Sequence, residues 1–285
     1  MKNRFYLLLS LWLAAGTLQA QTGLSEEAMK IASTRKAKTM ADYDKAIISE
    51  KRNVVNFHSI TVNGPFEVII EQGTAPSVKV ESALGLIPYI LTPITNGVLE
   101  ISNAKKSAYP TVMRVYITAT SHLNVIKARQ KALVRIASPF ATQKLLVELM
   151  SGAIFQAGEV ITAEDVLFNL GSSSKMISSM PVLAHRVQIY NYASSEIDAR
   201  FEAEVIEVEN GSSAKTVLSG TTSLLRASVS GLSRLNSSSL KAKHVEIATY
   251  SMGKALVFAS ESFAGRKQLL SSLQCLGSPP RLIFE

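Results

Sequence analysis

Apolar and polar residues alternate along most of the chain, and from Leu145 onward the alternation recurs as a repeated unit. Each unit opens with alternating apolar residues, passes through a cluster rich in serine and glycine, and returns to apolar residues. The units begin at Leu145, Val166, Val187 and Ile206. A period of about 20 residues, as in these starts, is typical of a solenoid, in which each coil buries its apolar side only by stacking on its neighbours.

The repeat extends in both directions from these four units. Related phrases begin at Leu123, Leu225 and Val245, and a shorter terminal phrase begins at Leu269. The sequence therefore predicts an all-β fold with about seven parallel coils over residues 123–285. Small residues recur at one corner of the coil, where glycine supplies unusual φ angles and serine a local hydrogen bond. They are Ser151-Gly152, Gly171-Ser172-Ser173, Ala193-Ser194-Ser195, Gly211-Ser212-Ser213 and Ser230-Gly231.

A second β region precedes the coils, over residues 53–122. Short runs there alternate with period two, as half-buried strands do. Asn63-Gly64 and Asn96-Gly97 lie between such runs, and Asn-Gly favours tight hairpin turns. We therefore expect an antiparallel β portion that covers one end of the solenoid.

The first 52 residues differ from the rest of the chain. Residues 1–20 carry Lys2 and Arg4, then an apolar run, then small residues ending at Ala20, which is the order of a secretory signal peptide. Residues 21–52 are charged and lack strand alternation, and we expect a lead-in that is either a linker or a short helix, with a helical turn over Asp42 to Ile48. No later segment is long and apolar enough to cross a bilayer as a helix, so the mature chain is expected to have no transmembrane helix.

Composition narrows the class of protein. A hydrophobic content of 47% with 18% charged residues is sufficient to form a sizeable core, and a formal net charge of +8 favours no specific partner. Cys275 is the only cysteine, so no disulfide forms within one chain, and its apolar neighbours predict a small buried hydrophobe.

The chain resembles the auto-transporter adhesin head domains of secreted Bacteroidetes-type proteins, whose function is unknown. The resemblance is carried by NVVNFHSITVNGPFEVIIEQG from Asn53, NGVLEIS from Asn96, the serial corners, and the closing LGSPPRLIFE. It covers residue 53 to the end, although the chain lacks the Gly-Ile-Asn tripeptide of that family. The resemblance implies a right-handed parallel β-helix with an N-terminal β portion and a binding role, and it supplies no catalytic or ligand-binding residues.

Carboxylates are concentrated in one stretch, residues 196–209. Alternation places its acids on the outer side of strands, where a solvated row is the usual outcome and a ligand patch or a catalytic pair is the alternative. The acids are Glu196, Asp198, Glu202, Glu204, Glu207 and Glu209. The spacing between the two aspartates of the solenoid, Asp165 and Asp198, does not match a whole number of coils.

Other candidate chemistry is sparse. The four histidines, His58, His122, His185 and His244, lack metal-ligand spacing, and there is no phosphate loop, nucleophile elbow or Cys-x-x-Cys pair. A basic strip on one early coil, predicted to face solvent, consists of Lys127, Arg129, Lys131 and Arg135. Aromatic residues make up only 7% of the chain and are scattered, which disfavours nucleic-acid binding.

These observations predict an exported, non-enzymatic protein of the cell envelope, in the periplasm, at the cell surface or outside the cell. We expect an adhesin or binding scaffold that needs no cofactor or metal and whose partner is an envelope protein or a glycan. The alternative is a polysaccharide lyase or hydrolase, because parallel β-helices also host such enzymes. The acids Glu202, Glu204, Glu207 and Glu209 are the residues on which that alternative depends.

Overall fold

The structure is a computed structural model that describes residues 47–104, 113–268 and 270–284. In these ranges it contains 21 strands, one 3₁₀ turn at Ile87–Tyr89 and no α-helix. Strands β1–β8 are Ile47–Arg52, Ser59–Asn63, Glu67–Gln72, Ser77–Ala83, Ile90–Leu91, Ile94–Thr95, Val98–Asn103 and Met113–Ala119. Strands β9–β14 are Val125–Arg129, Leu133–Ile136, Phe140–Ala141, Lys144–Leu149, Ile154–Ala157 and Ile161–Leu170. Strands β15–β21 are Lys175–Asn191, Glu196–Asn210, Lys215–Val229, Arg234–Thr249, Lys254–Lys267, Ser272–Leu276 and Arg281–Phe284.

Strands β12–β19 stack in parallel, one coil on the next. The predicted starts of the repeats are themselves ladder partners: Leu145 pairs with Val166, Val166 with Val187, Val187 with Ile206, Ile206 with Leu225 and Leu225 with Val245. The predicted parallel β-helix is therefore confirmed, with about eight turns roughly 20 residues apart. The count of seven was low because the stack begins before residue 123.

The N-terminal region contributes strands to the same stack. Strand β2 pairs in parallel with both β7 and β9, and β3 pairs in parallel with both β8 and β10. The coil formed by β2 and β3 thus lies between two coils that follow it in the sequence. Antiparallel strands are also present as expected: β4 pairs with β8, β1 with β4, and β5 and β6 with β7. These antiparallel strands cover the N-terminal end of the solenoid.

The two Asn-Gly pairs have different roles. Asn96 and Gly97 have φ angles of 51° and 74° and join β6 to β7, so the predicted hairpin is confirmed there. The reversal predicted at Asn63-Gly64 is wrong, because β2 and β3 belong to one coil and do not pair with each other. Gly64, with a φ of 124°, instead makes a corner within the coil.

The lead-in ends earlier than the sequence suggested. Residues 47–52 form β1, so the helical turn expected over Asp42 to Ile48 is wrong for Ile47 and Ile48. Arg52 of β1 is buried, contacts Glu50 at 2.5 Å and donates to the carbonyl oxygens of Ile87 and Ile90. These bonds attach β1 to the 3₁₀ turn. The signal peptide predicted over residues 1–20 and the rest of the predicted lead-in lie outside the described residues.

Alternation along each strand puts one set of side chains into a continuous core. Three phenylalanines from successive coils contact there: the ring centroids are 6.2 Å apart for Phe155 and Phe168, and 6.0 Å apart for Phe168 and Phe201. All three side chains are fully buried. Tilted aromatic pairs at this spacing stabilise a core beyond their buried area.

One corner of each coil is a four-residue turn with positive φ angles at its centre. Ser172 and Ser173 have φ angles of 54° and 62°, and the equivalent Ala193 and Ser194 have 50° and 62°. Where the fourth residue is serine, its hydroxyl donates to the carbonyl oxygen of the first residue, at 2.5 Å for Ser174 to Gly171, 2.6 Å for Ser233 to Ser230 and 2.7 Å for Ser271 to Gln268. Other corners have alanine or glycine there, as at Ala214 and Gly253. Gly152 and Gly231 have positive φ angles and Ser195 donates to the carbonyl oxygen of Tyr192, as the sequence predicted. At Ser172 and Ser173 the serines themselves adopt positive φ, which was not predicted. The strand that precedes this corner carries the face described next.

Candidate binding face

Outward side chains of four successive coils line a shallow groove of about 480 Å³ on the face formed by the C-terminal parts of β15–β18. They alternate with Ile189, Val208 and Ile247, which point into the core. This pattern places polar and charged side chains outward over a buried, rigid base. We call it the binding face and define it by Gln188, Tyr190, Glu207, Glu209, Arg226, Ser228, Glu246 and Ala248.

A chain of ion pairs runs across this face, parallel to the solenoid axis. Glu207 contacts Arg186 at 3.1 Å and Arg226 at 4.0 Å, and Arg226 contacts Glu246 at 2.8 Å. Gln188 also donates to Glu207, at 3.0 Å. The hydrogen bond to Glu246 raises the pKa of Arg226, so the guanidinium stays charged. The network holds extended side chains in place and presents amide, carboxylate and guanidinium groups to solvent.

Two tyrosines lie at one side of the face. Tyr190 is half-buried and is the ladder partner of Glu209. Burial, followed by a hydrogen bond with Glu209, raises the pKa of Tyr192 above its usual value. The Tyr192 phenol is therefore neutral, and Tyr190 offers an aromatic ring and a hydroxyl group beside the charged network.

The acidic stretch does not form one site. All six acids point outward as predicted, but the bends of the coil distribute them over different faces. Four have basic partners: Glu196 contacts Lys215 at 3.0 Å, Glu202 contacts Arg200 at 3.0 Å, Glu204 contacts His185 at 2.7 Å, and Glu207 contacts Arg186. Only Glu207 and Glu209 lie on the binding face. Asp165 pairs with Lys144 at 3.4 Å and is not in the same ladder as Asp198.

The pKa values of Glu148 and Glu196 are lowered, which does not suit either carboxyl group to act as a general acid. Hydrogen bonds from Lys215, with its charge, lower the pKa of Glu196. Burial acts to raise the pKa of Glu148, but hydrogen bonds from Arg129 and Lys127 outweigh it and the pKa is lowered. A general acid needs the opposite shift. Within the described ranges, no three His, Cys, Asp or Glu side chains are grouped so that they would hold a metal ion.

The predicted basic strip of Lys127, Arg129, Lys131 and Arg135 is split between two faces of the coil, and glutamates pair with three of its charges. Glu148 contacts Lys127 at 3.3 Å and Arg129 at 2.9 Å, while Arg135 contacts Glu67 at 3.6 Å on the next face. Lys131 lies at the corner between them, with a φ of 64°. Lys131 points outward as expected. The four basic residues together do not form a region of concentrated positive charge.

The histidines and the cysteine are separate from the binding face. His58 and His122 line a second groove near the N-terminal end, with Gln72 and Thr120. His244 contacts Glu261 at 3.5 Å, on a different coil from His185. Cys275 in β20 is only partly buried, less than predicted, because among the described strands β20 pairs with β19 alone. Burial raises the pKa of its thiol.

Sequence reasoning singled out Glu207 of the binding face but not Gln188, Arg226 or Glu246. These four residues occupy one ladder position in four coils. Each is a whole coil away from the next in the sequence, so no local motif unites them. Alignment of the coils by their serine and glycine corners would have placed these four residues at one equivalent position.

The fold and the face define a class of protein: a parallel β-solenoid that presents an ordered polar surface. The family model described as "Putative auto-transporter adhesin, head GIN domain" matches residues 56–279. The chain belongs to this family, as the resemblance predicted. No curated protein matches the chain.

Solved structures share the fold. A "putative adhesin" from Parabacteroides merdae ATCC 43184 aligns with a TM-score of 0.64 at 15% identity, covering 85% of this chain and 98% of that one. A second "putative adhesin", from Parabacteroides distasonis ATCC 8503, aligns with a TM-score of 0.64 at 18% identity and the same coverages. A "putative lipid binding protein" from the latter organism aligns with a TM-score of 0.58 at 15% identity, again over 85% and 98% of the two chains. At these identities the likeness concerns the fold alone. Within the described residues, no helix is sufficiently long and apolar to span a membrane.

Proposed function

We propose that the protein is an exported, non-enzymatic component of the cell envelope or cell surface that binds a hydroxyl-rich glycan along its binding face. The observation that carries this proposal is the ion-paired row of Glu207, Arg226 and Glu246, which repeats hydrogen-bonding groups at one ladder position. Family membership and the names of the structural neighbours support a binding role.

The chemistry of the face suits a polymer of sugars. Neighbouring coils repeat about every 4.8 Å, so amide and carboxylate groups recur at a spacing that an extended chain of hydroxyl groups can follow. The ion pairs fix these groups in advance, which lowers the entropic cost of ordering side chains on binding. Tyr190 adds an aromatic edge at the side of the row, where a sugar ring can pack against it.

Export rests on the sequence. The order of charged, apolar and small residues over residues 1–20 supports removal of a signal peptide and a mature chain that begins near Gln21. An extracytoplasmic location also fits an adhesin-like family. Fractionation of the native cells would distinguish the periplasm from the cell surface.

The enzymatic alternative has less support. Glycoside hydrolysis needs one carboxyl group that donates a proton and a second carboxylate roughly 5–10 Å from it. Glu207 is occupied by two arginines and Gln188, and Glu209 accepts the hydrogen bond of Tyr192. Neither group is placed as a free proton donor. The face therefore favours binding without bond cleavage.

We expect retention without turnover when the protein is tested on polysaccharides. Neutral glucan, mannan and a polyuronate would each be immobilised in a gel, and retarded migration of the protein would report binding. The same polymers in solution would be assayed for new reducing ends and for unsaturated ends. New ends that disappear in both Glu207→Gln and Glu209→Gln would overturn the non-enzymatic proposal. Retardation with no new ends is the expected result.

A further inference from the structure

An exposed apolar row marks one corner of the last coils. Leu232, Met252 and Leu270 occupy the third position of three successive corners, and their exposed fractions are 57%, 49% and 76%. The same position in the three preceding corners is serine, at Ser173, Ser194 and Ser213. The fold therefore tolerates serine at this position, so core packing does not explain the change to large apolar residues.

Backbone geometry does not explain this change either. Leu270 has a φ of 71°, a region that glycine or asparagine adopts more easily than leucine. The corner thus holds an apolar side chain in solvent at a position that disfavours it. Leu232 and Met252 do not share this positive φ, but with Leu270 they lie at the same corner of adjacent coils, which is a different situation from single exposed apolar residues.

Positive charges flank this row. Arg234 and Lys254 each follow the apolar residue of their corner by two positions, and they are direct ladder partners. We call the three apolar residues and these two cations the C-terminal corner surface. Like charges at neighbouring ladder positions repel, so this arrangement costs stability unless an anion is bound.

The sequence segments that form this corner contain no carboxylate side chains. Earlier in the same ladder, Glu196 contacts both Lys175, at 3.4 Å, and Lys215, at 3.0 Å. Arg234 and Lys254 make no ion pair within the described part of the chain. The three segments that form the corner, residues 228–236, 248–256 and 266–276, contain four Lys or Arg residues and no Asp or Glu.

We propose that the C-terminal corner surface docks on the anionic face of a lipid bilayer. The apolar row would enter the boundary between head groups and acyl chains, while the cations contact lipid phosphates. Half-buried Tyr250, the first residue of the middle corner, adds a side chain of the amphipathic kind that favours this boundary. A soluble polyanion would account for the cations and leave the apolar row without a role, so the lipid surface is the better fit. This surface is separate from the binding face, and its test does not depend on a glycan.

The test is sedimentation of the protein with lipid vesicles. The chain would begin at Gln21, which keeps every described residue and removes the apolar N-terminal run that would itself bind lipid. Vesicles of phosphatidylglycerol and phosphatidylcholine in equal amounts would be compared with vesicles of phosphatidylcholine alone, at about 0.1 M salt. The variants are Arg234→Gln with Lys254→Gln, and Leu232→Ser with Met252→Ser. The charge-matched control is Lys144→Gln with Lys175→Gln, which removes two cations that have carboxylate partners on earlier coils.

Partitioning onto anionic vesicles is expected to fall about 25-fold in the arginine and lysine variant, since each of the two cations near such a surface contributes about five-fold. The leucine and methionine variant is expected to lose about ten-fold, and the control to stay within about two-fold of the parent. Equal partitioning of the first variant and the control would overturn the proposal. So would equal binding to phosphatidylcholine alone, or unchanged vesicle binding in the leucine and methionine variant. Circular dichroism of all variants would show that the coils are intact.

Discussion

Deletion of residues 166–186 is expected to leave a soluble, folded solenoid that is one coil shorter. The segment from Val166 to Arg186 spans one full repeat of the ladder, because Val166 pairs with Val187. In the shortened chain Val187 follows Asp165 and takes the place of Val166, so the later coils keep both their inward pattern and their corners. Ile189 replaces Phe168 in the core, which shortens the aromatic row and lowers the melting temperature without unfolding the stack.

A smaller deletion, of ten residues within one coil, is expected to destabilise the fold much more. Removal of residues 171–180 takes out the corner at Gly171 to Ser174 and joins Leu170 to Pro181. The chain then lacks the turn that returns it above the previous coil, and buried positions of β15 no longer align with those of β14. Size-exclusion chromatography and circular dichroism would compare the two proteins. Aggregation of both, or equal tolerance of both, would contradict a stack of interchangeable coils.

Gly220→Ala is expected to lower the melting temperature by about 10 °C, because its added methyl group makes the closest contact among the glycines that the structure describes. Gly220 has a φ of 107°, and an added Cβ atom would lie 1.9 Å from the carbonyl oxygen of Phe201. That oxygen belongs to β16, which is paired with β15 and β17, so its backbone cannot move away from the added methyl group. Strain and overpacking together cost about 3 kcal/mol or more, and for a chain of this size each kcal/mol lowers the melting temperature by about 2–4 °C.

Gly152→Ala is the matched control for this substitution. Gly152 also has a positive φ, 74°, but its added Cβ would meet only the flexible Lys131 side chain, at 3.7 Å. Its cost is therefore the conformational penalty alone, about 1 kcal/mol. Thermal unfolding followed by circular dichroism would separate the two causes. Similar melting temperatures for both variants would show that the close approach of adjacent coils at Gly220 is not tight.

The sequence predicted the repeating part of the fold well because each coil carries its own signal. Alternation fixes which residues point inward, and the serine and glycine clusters fix where the chain turns. The corners at Gly171 and Gly211 are examples in which both signals agree. The coil starts from Leu145 to Val245 were therefore found to the residue.

Pairing between strands that are far apart in the sequence could not be predicted from local patterns. Strands β2 and β3 pair with two later coils, and nothing in the sequence around Asn63-Gly64 distinguishes a corner within a coil from a hairpin. Strand β1 was missed because Glu50 and Arg52 look like surface residues and become buried only by pairing with each other and with the 3₁₀ turn.

The candidate sites show the same limit. Acids that are close in sequence, such as Glu202 and Glu207, are separated by the bends of the coil. Residues that share a face, such as Arg226 and Glu246, are a whole coil apart. Reading function from a solenoid therefore requires the register between coils, which the sequence gives only after the corners are aligned.

The most direct test of the proposed binding role is whether the ordered row on the binding face holds the glycan. Affinity electrophoresis through the most retarding of the three polysaccharides would compare the parent protein with Tyr190→Ala, Arg226→Gln and the control Arg200→Gln. Arg200 is as exposed as Arg226 and also pairs with a glutamate, Glu202 at 3.0 Å, but on another face. We expect about ten-fold weaker retention for Tyr190→Ala and Arg226→Gln, and retention within about two-fold of the parent for Arg200→Gln. Equal retention of all four proteins would contradict the proposed role of the row.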